Sequence, residues 1–186
     1  MHPHALDVFS RLDTARAALR AAVDQVPPAL RQQRPGRDRW SAAEVIEHIS
    51  IVERMFGGRV ADAITAARSG GLAAEAGDRA PLPDAIETRM ADRVNKRTAV
   101  DAAQPTGTLD ATAAWAALEI GHERLRQAVA GAEGLALGQV MLAHPFFGEM
   151  SVYQFVELMA AHEMRHAEQI AEIASALRAG AAGANE

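Results

Sequence analysis

The sequence predicts an all-α protein, a four-helix bundle with a long overhand crossover between helices 2 and 3. Apolar residues recur at steps of three and four along four long segments, as they do on the buried face of an amphipathic helix. Alternating patterns typical of strands are almost lacking. The segment between the second and third helical patterns has about forty residues, which is enough to return along the bundle before the next helix begins.

The first two predicted helices have recognisable ends. The first covers about residues 5–26 and stops at the proline pair that begins with Pro27, because proline cannot continue the helical hydrogen-bond ladder. The second begins at Ser41, which together with Glu44 has the spacing of a capping box. It is predicted to reach roughly Arg68, just before a pair of glycines.

The crossover is predicted to be mainly irregular, with one short helix around residues 84–100. That helix carries four basic side chains, which we interpret as a solvated face relieved by nearby carboxylates. The four basic residues are Arg89, Arg93, Lys96 and Arg97.

A loop region separates the third predicted helix from the fourth. Asp110 starts the third helix, and Gly131 ends it. A short extended piece at residues 139–142 and a loop containing His144 come next, and we expect His144 to position that loop. The fourth helix then begins at the capping residue Ser151. We predict one four-helix domain over residues 1–178 and a flexible C-terminal tail of small residues at 179–186.

Composition excludes several classes of protein. The net charge of −5 argues against a general nucleic-acid binder, which normally has a basic surface. The chain has no cysteine, so it has no disulfide, no thiolate metal ligand and no cysteine nucleophile. It also shows no signal-peptide pattern and no apolar run of membrane-spanning length. We therefore expect a cytoplasmic protein that acts on a small molecule, without a nucleic-acid or membrane partner.

Three histidines occupy apolar stripes on two predicted helices. His162 and His166 are four residues apart, so both imidazoles lie on one face of the fourth helix. His48 is equally inward on the second helix. Three neutral imidazoles suit zinc, nickel, copper or ferrous iron, and a site of three ligands leaves room for water or substrate. The alternative interpretation is a set of hydrogen-bonded core histidines.

His122 occupies a stripe position on the third helix. It is a candidate fourth ligand or a group behind the ligands, although a lone histidine on an apolar face is more often structural.

The segment from His162 to His166 also has the H-E-x-x-H pattern of zinc metalloproteases. These enzymes usually take a third ligand from downstream, but Glu168 and Glu172 lie near the opposite side of the helix from His166. We therefore set the protease reading aside. We expect Glu163 to be exposed or to flank the site, and a role behind the ligands stays open.

Three features in order resemble the DinB/YfiT-like superfamily of metalloenzymes. They are a tryptophan-serine entry to a helix that carries a histidine, a histidine-proline-x-x-glycine turn, and a closing histidine pair. The resemblance spans roughly residues 34–170. The matching segments are Arg34-Pro35, Trp40-Ser41, Glu44 to Ile49, His144 to Ser151, His162 to His166, and Gln169-Ile170.

The resemblance implies a four-helix bundle with an overhand link, a divalent metal held by His48, His162 and His166, and a homodimer. Similar proteins transfer low-molecular-weight thiols such as bacillithiol or mycothiol, or isomerise maleylpyruvate with mycothiol. We therefore expect a metal-dependent enzyme resembling a thiol S-transferase, with zinc, nickel or iron as its metal and a low-molecular-weight thiol as co-substrate. Two alternatives stay open: a metal-dependent hydrolase, and a non-catalytic metal-binding or stress-response module.

Overall fold

A computed structural model describes residues 1–72, 74–75, 77–95 and 98–183, and this part of the chain contains five α-helices and a small β-hairpin. The helices are α1 (Pro3–Asp24), α2 (Ala42–Ser69), α3 (Asp84–Ala91), α4 (Ala111–Ala130) and α5 (Val152–Gly183). The strands are β1 (Met141–His144) and β2 (Gly148–Ser151), and single 3-10 turns lie at Pro28–Leu30 and Asp101–Ala103. The four long helices form the predicted bundle.

Helix α1 packs mainly along α5, and α2 packs mainly along α4. The contacts between α2 and α4 show that these two helices run parallel. A Cβ on Gly57 would lie 3.9 Å from Leu125, and a Cβ on Gly121 would lie 3.8 Å from Glu53, so the numbering rises together on both helices. Two consecutive parallel helices require the intervening chain to return along the bundle, which is the predicted overhand crossover.

The capping residues explain where α2 and α5 begin. The Ser41 hydroxyl accepts a hydrogen bond from the Glu44 amide at 3.2 Å, and the Glu44 carboxylate accepts one from the Ser41 amide at 2.8 Å. Ser151 and Gln154 exchange the same pair of bonds at the start of α5, at 2.9 and 3.3 Å. Each pair satisfies amides that have no partner within the helix, as the sequence predicts.

The crossover differs from the prediction in its short helix, which ends at Ala91 rather than near residue 100. Of the predicted basic face, Arg89 is exposed, whereas Arg93 is partly buried because it donates hydrogen bonds to Glu172 on α5. Lys96 and Arg97 lie outside the described residues.

The segment before α5 is more regular than predicted. The extended piece continues to His144 and pairs with β2 in an antiparallel register that sets Met141 opposite Ser151 and His144 opposite Gly148. Gly148 has a φ of 78°, a left-handed conformation that glycine adopts without strain, so the chain can reverse there. His144 therefore lies at the end of a strand and not in an irregular loop.

The predicted C-terminal tail starts inside a helix. Helix α5 continues past Ala179 to Gly183, and residues 184–186 lie outside the described residues. Among the helices described, none has the length and apolar character that crossing a membrane requires.

A polar layer divides the bundle core into two apolar clusters. One cluster joins the first half of α1 to the second half of α2 and the first turns of α5, and the other joins the opposite halves. Each long helix contributes a buried polar side chain between the clusters. These side chains are Arg16, Glu53, His122 and Glu163.

Candidate metal centre

The structure brings together the three histidines that the sequence singles out. His48 comes from α2, and His162 and His166 come from successive turns of α5. The His162 Nε2 atom lies 3.3 Å from His48 Nε2 and 3.0 Å from His166 Nε2. One ligand atom from each ring lies within 4.8 Å of the others. The helical spacing of four residues and the packing of α5 near α2 produce this convergence.

Two of the three rings are oriented by hydrogen bonds on their other nitrogen. His48 Nδ1 donates to the backbone carbonyl of Ala103 at 2.7 Å, and His166 Nδ1 donates to the Gln169 side-chain oxygen at 2.8 Å. Both acceptors are oxygens, so the proton of each neutral ring is on Nδ1 and the lone pair is on Nε2. An acceptor of this kind behind a ligating histidine is the usual arrangement at metal sites.

Burial keeps these imidazoles neutral. Desolvation lowers the pKa of His48, and it lowers the pKa of His162 and His166 well below the ordinary value. The neighbouring rings add to this effect, since His166 and His48 also lower the pKa of His162, and His48 also lowers the pKa of His166. Near pH 7 the three rings therefore present lone pairs rather than charges, which is the state that binds a metal.

The donor set fits a divalent transition metal. Nitrogen ligands about 2.0–2.1 Å from a tetrahedral zinc ion lie about 3.3–3.4 Å apart, close to the separations of 3.0 and 3.3 Å found here. A single proton on His162 Nε2 can serve only one of the two neighbouring lone pairs, whereas a cation between the rings can bind all three nitrogens. Imidazole nitrogens suit zinc, nickel, copper and iron, and they do not suit calcium or magnesium.

A cavity of about 490 Å³ opens beside the three histidines. Its wall is mainly apolar and aromatic, and it includes Trp40, which packs 5.0 Å from the His48 ring between centroids. Arg89 and Arg165 are the charged side chains on the described part of the wall. The volume is in the range of small-molecule sites, which run from about 300 to 1,000 Å³. The other aromatic residues of the wall are Phe56, Phe146, Phe147 and Phe155.

His144 also lines this cavity, at the end of β1. Its ring is stacked on Phe56 with centroids 5.0 Å apart, and it contacts Phe147 and Phe155. The Phe146 amide donates a hydrogen bond to His144 Nδ1 at 3.2 Å. Burial, and to a smaller degree the Arg59 guanidinium, lowers the pKa of His144 to about 4. His144 is not one of the three converging histidines.

The sequence predicts that Glu163 is exposed or flanks the site, and the structure corrects this because the side chain is fully buried. Its carboxylate binds Arg16, which donates to both Glu163 oxygens and to Glu53. Burial and the neighbouring Glu163 raise the pKa of Glu53 well above its ordinary value. Burial opposes the charge of Arg16, but its bonds to Glu163 and Glu53 outweigh burial and raise its pKa. Glu163 therefore belongs to a buried ionic cluster with Arg16 and Glu53.

His122 lies outside the group of three histidines and does not line the cavity described here. Its Nε2 atom is 3.3 Å from Asp13 and 3.3 Å from Arg126. Burial lowers the pKa of His122, and the nearby Arg16 and Arg126 lower it further. His122 is therefore not a fourth ligand beside the three histidines. It lies in the polar layer between the two apolar clusters.

Comparisons with known proteins agree with this fold. The family model described as the DinB superfamily matches residues 11–170. The uncharacterized protein YuaE of Bacillus subtilis (strain 168) is 29% identical over 149 residues, which cover 76% of this chain and 81% of YuaE. A crystal structure described as TT2238, a four-helix bundle protein, aligns with a TM-score of 0.53 at 20% identity and covers 89% of this chain and 97% of that one. The likeness to TT2238 is one of fold alone.

Proposed function

The chain belongs to the DinB superfamily, and we propose that it is a metal-dependent enzyme that transfers a low-molecular-weight thiol to a small electrophile. One observation carries the proposal: three neutral imidazoles converge on one side of a cavity large enough for a small molecule. His48, His162 and His166 would hold the metal, which we expect to be zinc, nickel or iron.

A divalent metal at this position supplies Lewis acidity, which lowers the pKa of a thiol or of a water molecule that binds to it. The protein has no cysteine, so the nucleophilic sulfur must come from a co-substrate. The guanidinium groups of Arg89 and Arg165 on the wall suit a thiol that carries an anionic group such as a carboxylate. The apolar remainder of the wall suits the electrophile and keeps water out.

The wall of the cavity favours thiol transfer over hydrolysis. Hydrolysis needs a general base close to the attacking water. The described residues that line the cavity include no aspartate or glutamate. Glu163 is engaged by Arg16, and the Nδ1 lone pair of His144 already accepts the Phe146 amide. A thiol bound to a divalent metal would lose its proton outright to solvent, whereas metal-bound water would keep a pKa of about 7, so a wall without a base is better suited to thiol chemistry.

A fluorogenic thiol assay tests the proposal. Metal-loaded protein is mixed with monochlorobimane and, in separate reactions, bacillithiol, mycothiol, glutathione or coenzyme A. We expect at least one thiol to react faster than with chelator-treated protein, and we expect the acceleration to disappear in His166→Ala. His122→Ala is the matched control, because His122 is also a buried helical histidine but lies outside the cavity.

The outcomes separate the three functions. Acceleration that depends on metal and on His166 supports thiol transfer. Metal-dependent hydrolysis of ester or amide substrates without thiol transfer would replace the proposal with a hydrolase. A metal-binding protein that is silent in both assays would be a non-catalytic metal-binding or stress-response module. The proposal also includes a cytoplasmic location, where low-molecular-weight thiols are kept reduced.

A further inference from the structure

We propose that His144 binds the substrate by donating a hydrogen bond from Nε2, and that the substrate is a planar apolar compound carrying a hydrogen-bond acceptor such as a carbonyl oxygen. The inference takes the cavity of the proposed function as its site and rests on it in that respect. It assigns a role to a side chain that is neither a candidate metal ligand nor part of the ionic cluster. Three observations carry it: the tautomer of the ring, the aromatic wall and the rigidity of the turn.

The hydrogen bond on Nδ1 fixes the tautomer of His144. The Phe146 amide can only donate, so Nδ1 must be the unprotonated nitrogen of the neutral ring. The remaining proton is then on Nε2, which makes that atom a donor. Nε2 has no hydrogen-bond partner among the described residues, and it is not one of the unpartnered polar atoms sealed from solvent. His144 is nine-tenths buried and lines the cavity, and we infer from this that its accessible donor faces the cavity.

The turn and its neighbours hold this donor in place. His144 is paired with Gly148 across the hairpin, and its ring is stacked on Phe56 at an interplanar angle of 23°. Phe147 and Phe155 contact it at centroid distances of 4.9 and 5.8 Å. A donor whose ring is fixed in advance loses little conformational entropy when it binds an acceptor. The arrangement therefore suits recognition of an acceptor at one defined position.

The surroundings of Nε2 indicate the class of substrate. Aromatic rings prefer to pack against flat apolar groups in offset or edge-to-face arrangements, and four phenylalanines stand on this wall. An unpaired donor in such a wall rejects a purely apolar ligand, since burying it without an acceptor costs free energy. An aromatic ketone satisfies both requirements, and the corresponding hydrocarbon satisfies only one.

The first test measures the tautomer without any ligand. Long-range proton–nitrogen correlation spectra of the full-length, zinc-loaded protein distinguish protonated from unprotonated ring nitrogens, and the spectrum of His144→Gln identifies the His144 signals by their absence. We expect a proton on Nε2 and none on Nδ1 near neutral pH. A proton on Nδ1, or a doubly protonated ring, would overturn the proposal.

The second test compares acetylnaphthalene with ethylnaphthalene, two probes of similar size that differ by the carbonyl oxygen. Binding is followed by quenching of tryptophan fluorescence, because Trp40 lines the cavity. We expect the ketone to bind roughly two- to tenfold more tightly, as one hydrogen bond provides. The preference should vanish in His144→Phe, which keeps the hydrocarbon affinity, and part of it should remain in His144→Gln, which keeps a donor.

Both probes are also measured with chelator-treated protein. A preference for the ketone that needs the metal, or that survives in His144→Phe, would overturn the role of His144. Failure of both probes to bind would overturn the substrate class. None of these measurements involves turnover. A protein that shows the preference but transfers no thiol would therefore contradict the proposed function and leave this inference standing.

Discussion

Arg16 of α1 binds Glu163 of α5 through two parallel hydrogen bonds, from Nε at 2.9 Å and from Nη2 at 2.7 Å. Glu163 directly follows His162 in the sequence, so its side chain leaves α5 about 100° around the helix from His162, and the ionic cluster and the candidate metal centre share one turn of α5. Paired bonds between guanidinium and carboxylate groups fix direction as well as distance. The pair therefore fixes the rotation of α5 at which His162 and His166 face His48.

Substitution of Arg16 tests how much this ion pair contributes to the free energy of unfolding. Arg16→Met keeps much of the side-chain volume but leaves the buried Glu163 carboxylate without its cation. We expect the free energy of unfolding to fall by about 3–5 kcal/mol in urea titrations at neutral pH. Arg124→Met, at an exposed position on α4, is the control and should change it by less than about 0.5 kcal/mol. Equal effects of the two substitutions would contradict the structural role of Arg16.

The pH dependence of stability tests the protonation of Glu53. Its folded pKa is raised above the ordinary value of 4.5 by burial and by Glu163, so the folded state holds the proton more firmly than the unfolded state. The associated stabilisation is complete below the unfolded pKa and is lost as the pH rises toward the folded pKa. Glu53→Gln mimics the protonated form and cannot lose this proton.

We therefore expect wild type and Glu53→Gln to have similar free energies of unfolding at about pH 4, and the variant to be the more stable at about pH 7. Urea titrations of both proteins across this range measure the difference. A difference that stays constant with pH would show that the folded pKa of Glu53 is not raised.

The apolar stripes made the bundle and the convergence of the histidines predictable. His48 and the pair on α5 each stand among apolar residues at helical spacing, and the crossover is long enough for the helices on either side of it to run parallel. The ionic cluster was missed, although a signal for it exists. Arg16 follows Leu12 by four positions and precedes Leu19 by three, so a charged residue occupies a stripe position.

Other features of the site leave little trace in the sequence. The acceptor for His48 is the Ala103 backbone carbonyl, and no side-chain identity indicates a backbone contact over 55 positions. Strands of four residues are too short to show a clear alternation, which is why the sequence predicts only part of the strand that ends at His144 and not its partner. The burial of Glu163 depends on a partner from α1, which helical spacing within α5 cannot reveal.

If the three histidines hold one metal ion, substitution of any one of them should lower the metal content. His48→Ala, His162→Ala and His166→Ala should each lower the metal content of purified protein sharply, because each removes one of three ligands. Elemental analysis by mass spectrometry measures the metal, and circular dichroism should show that helical content is largely retained. His122→Ala should keep its metal, since His122 lies outside the cluster. Stoichiometric metal in all three single variants would contradict the assignment.

A homodimer is a further expectation, proposed from the family resemblance. Light scattering at micromolar concentration should return about twice the mass of the chain, which is 19.8 kDa. A mass close to that of the single chain across this concentration range would contradict it.

Gln169 provides the sharpest test of how the metal ligands are oriented. Its side-chain oxygen accepts the Nδ1 proton of His166 at 2.8 Å, which directs the Nε2 lone pair toward the other two histidines. Gln169→Leu removes the acceptor while preserving the size of the side chain. Loss of such a partner behind a ligand typically costs about 10- to 100-fold in metal affinity, and we expect that range in competition with a chromogenic chelator. Glu168→Gln, at an exposed neighbouring position, should leave the affinity unchanged. If both variants bind metal as tightly as wild type, the hydrogen bond to His166 does not orient a ligand.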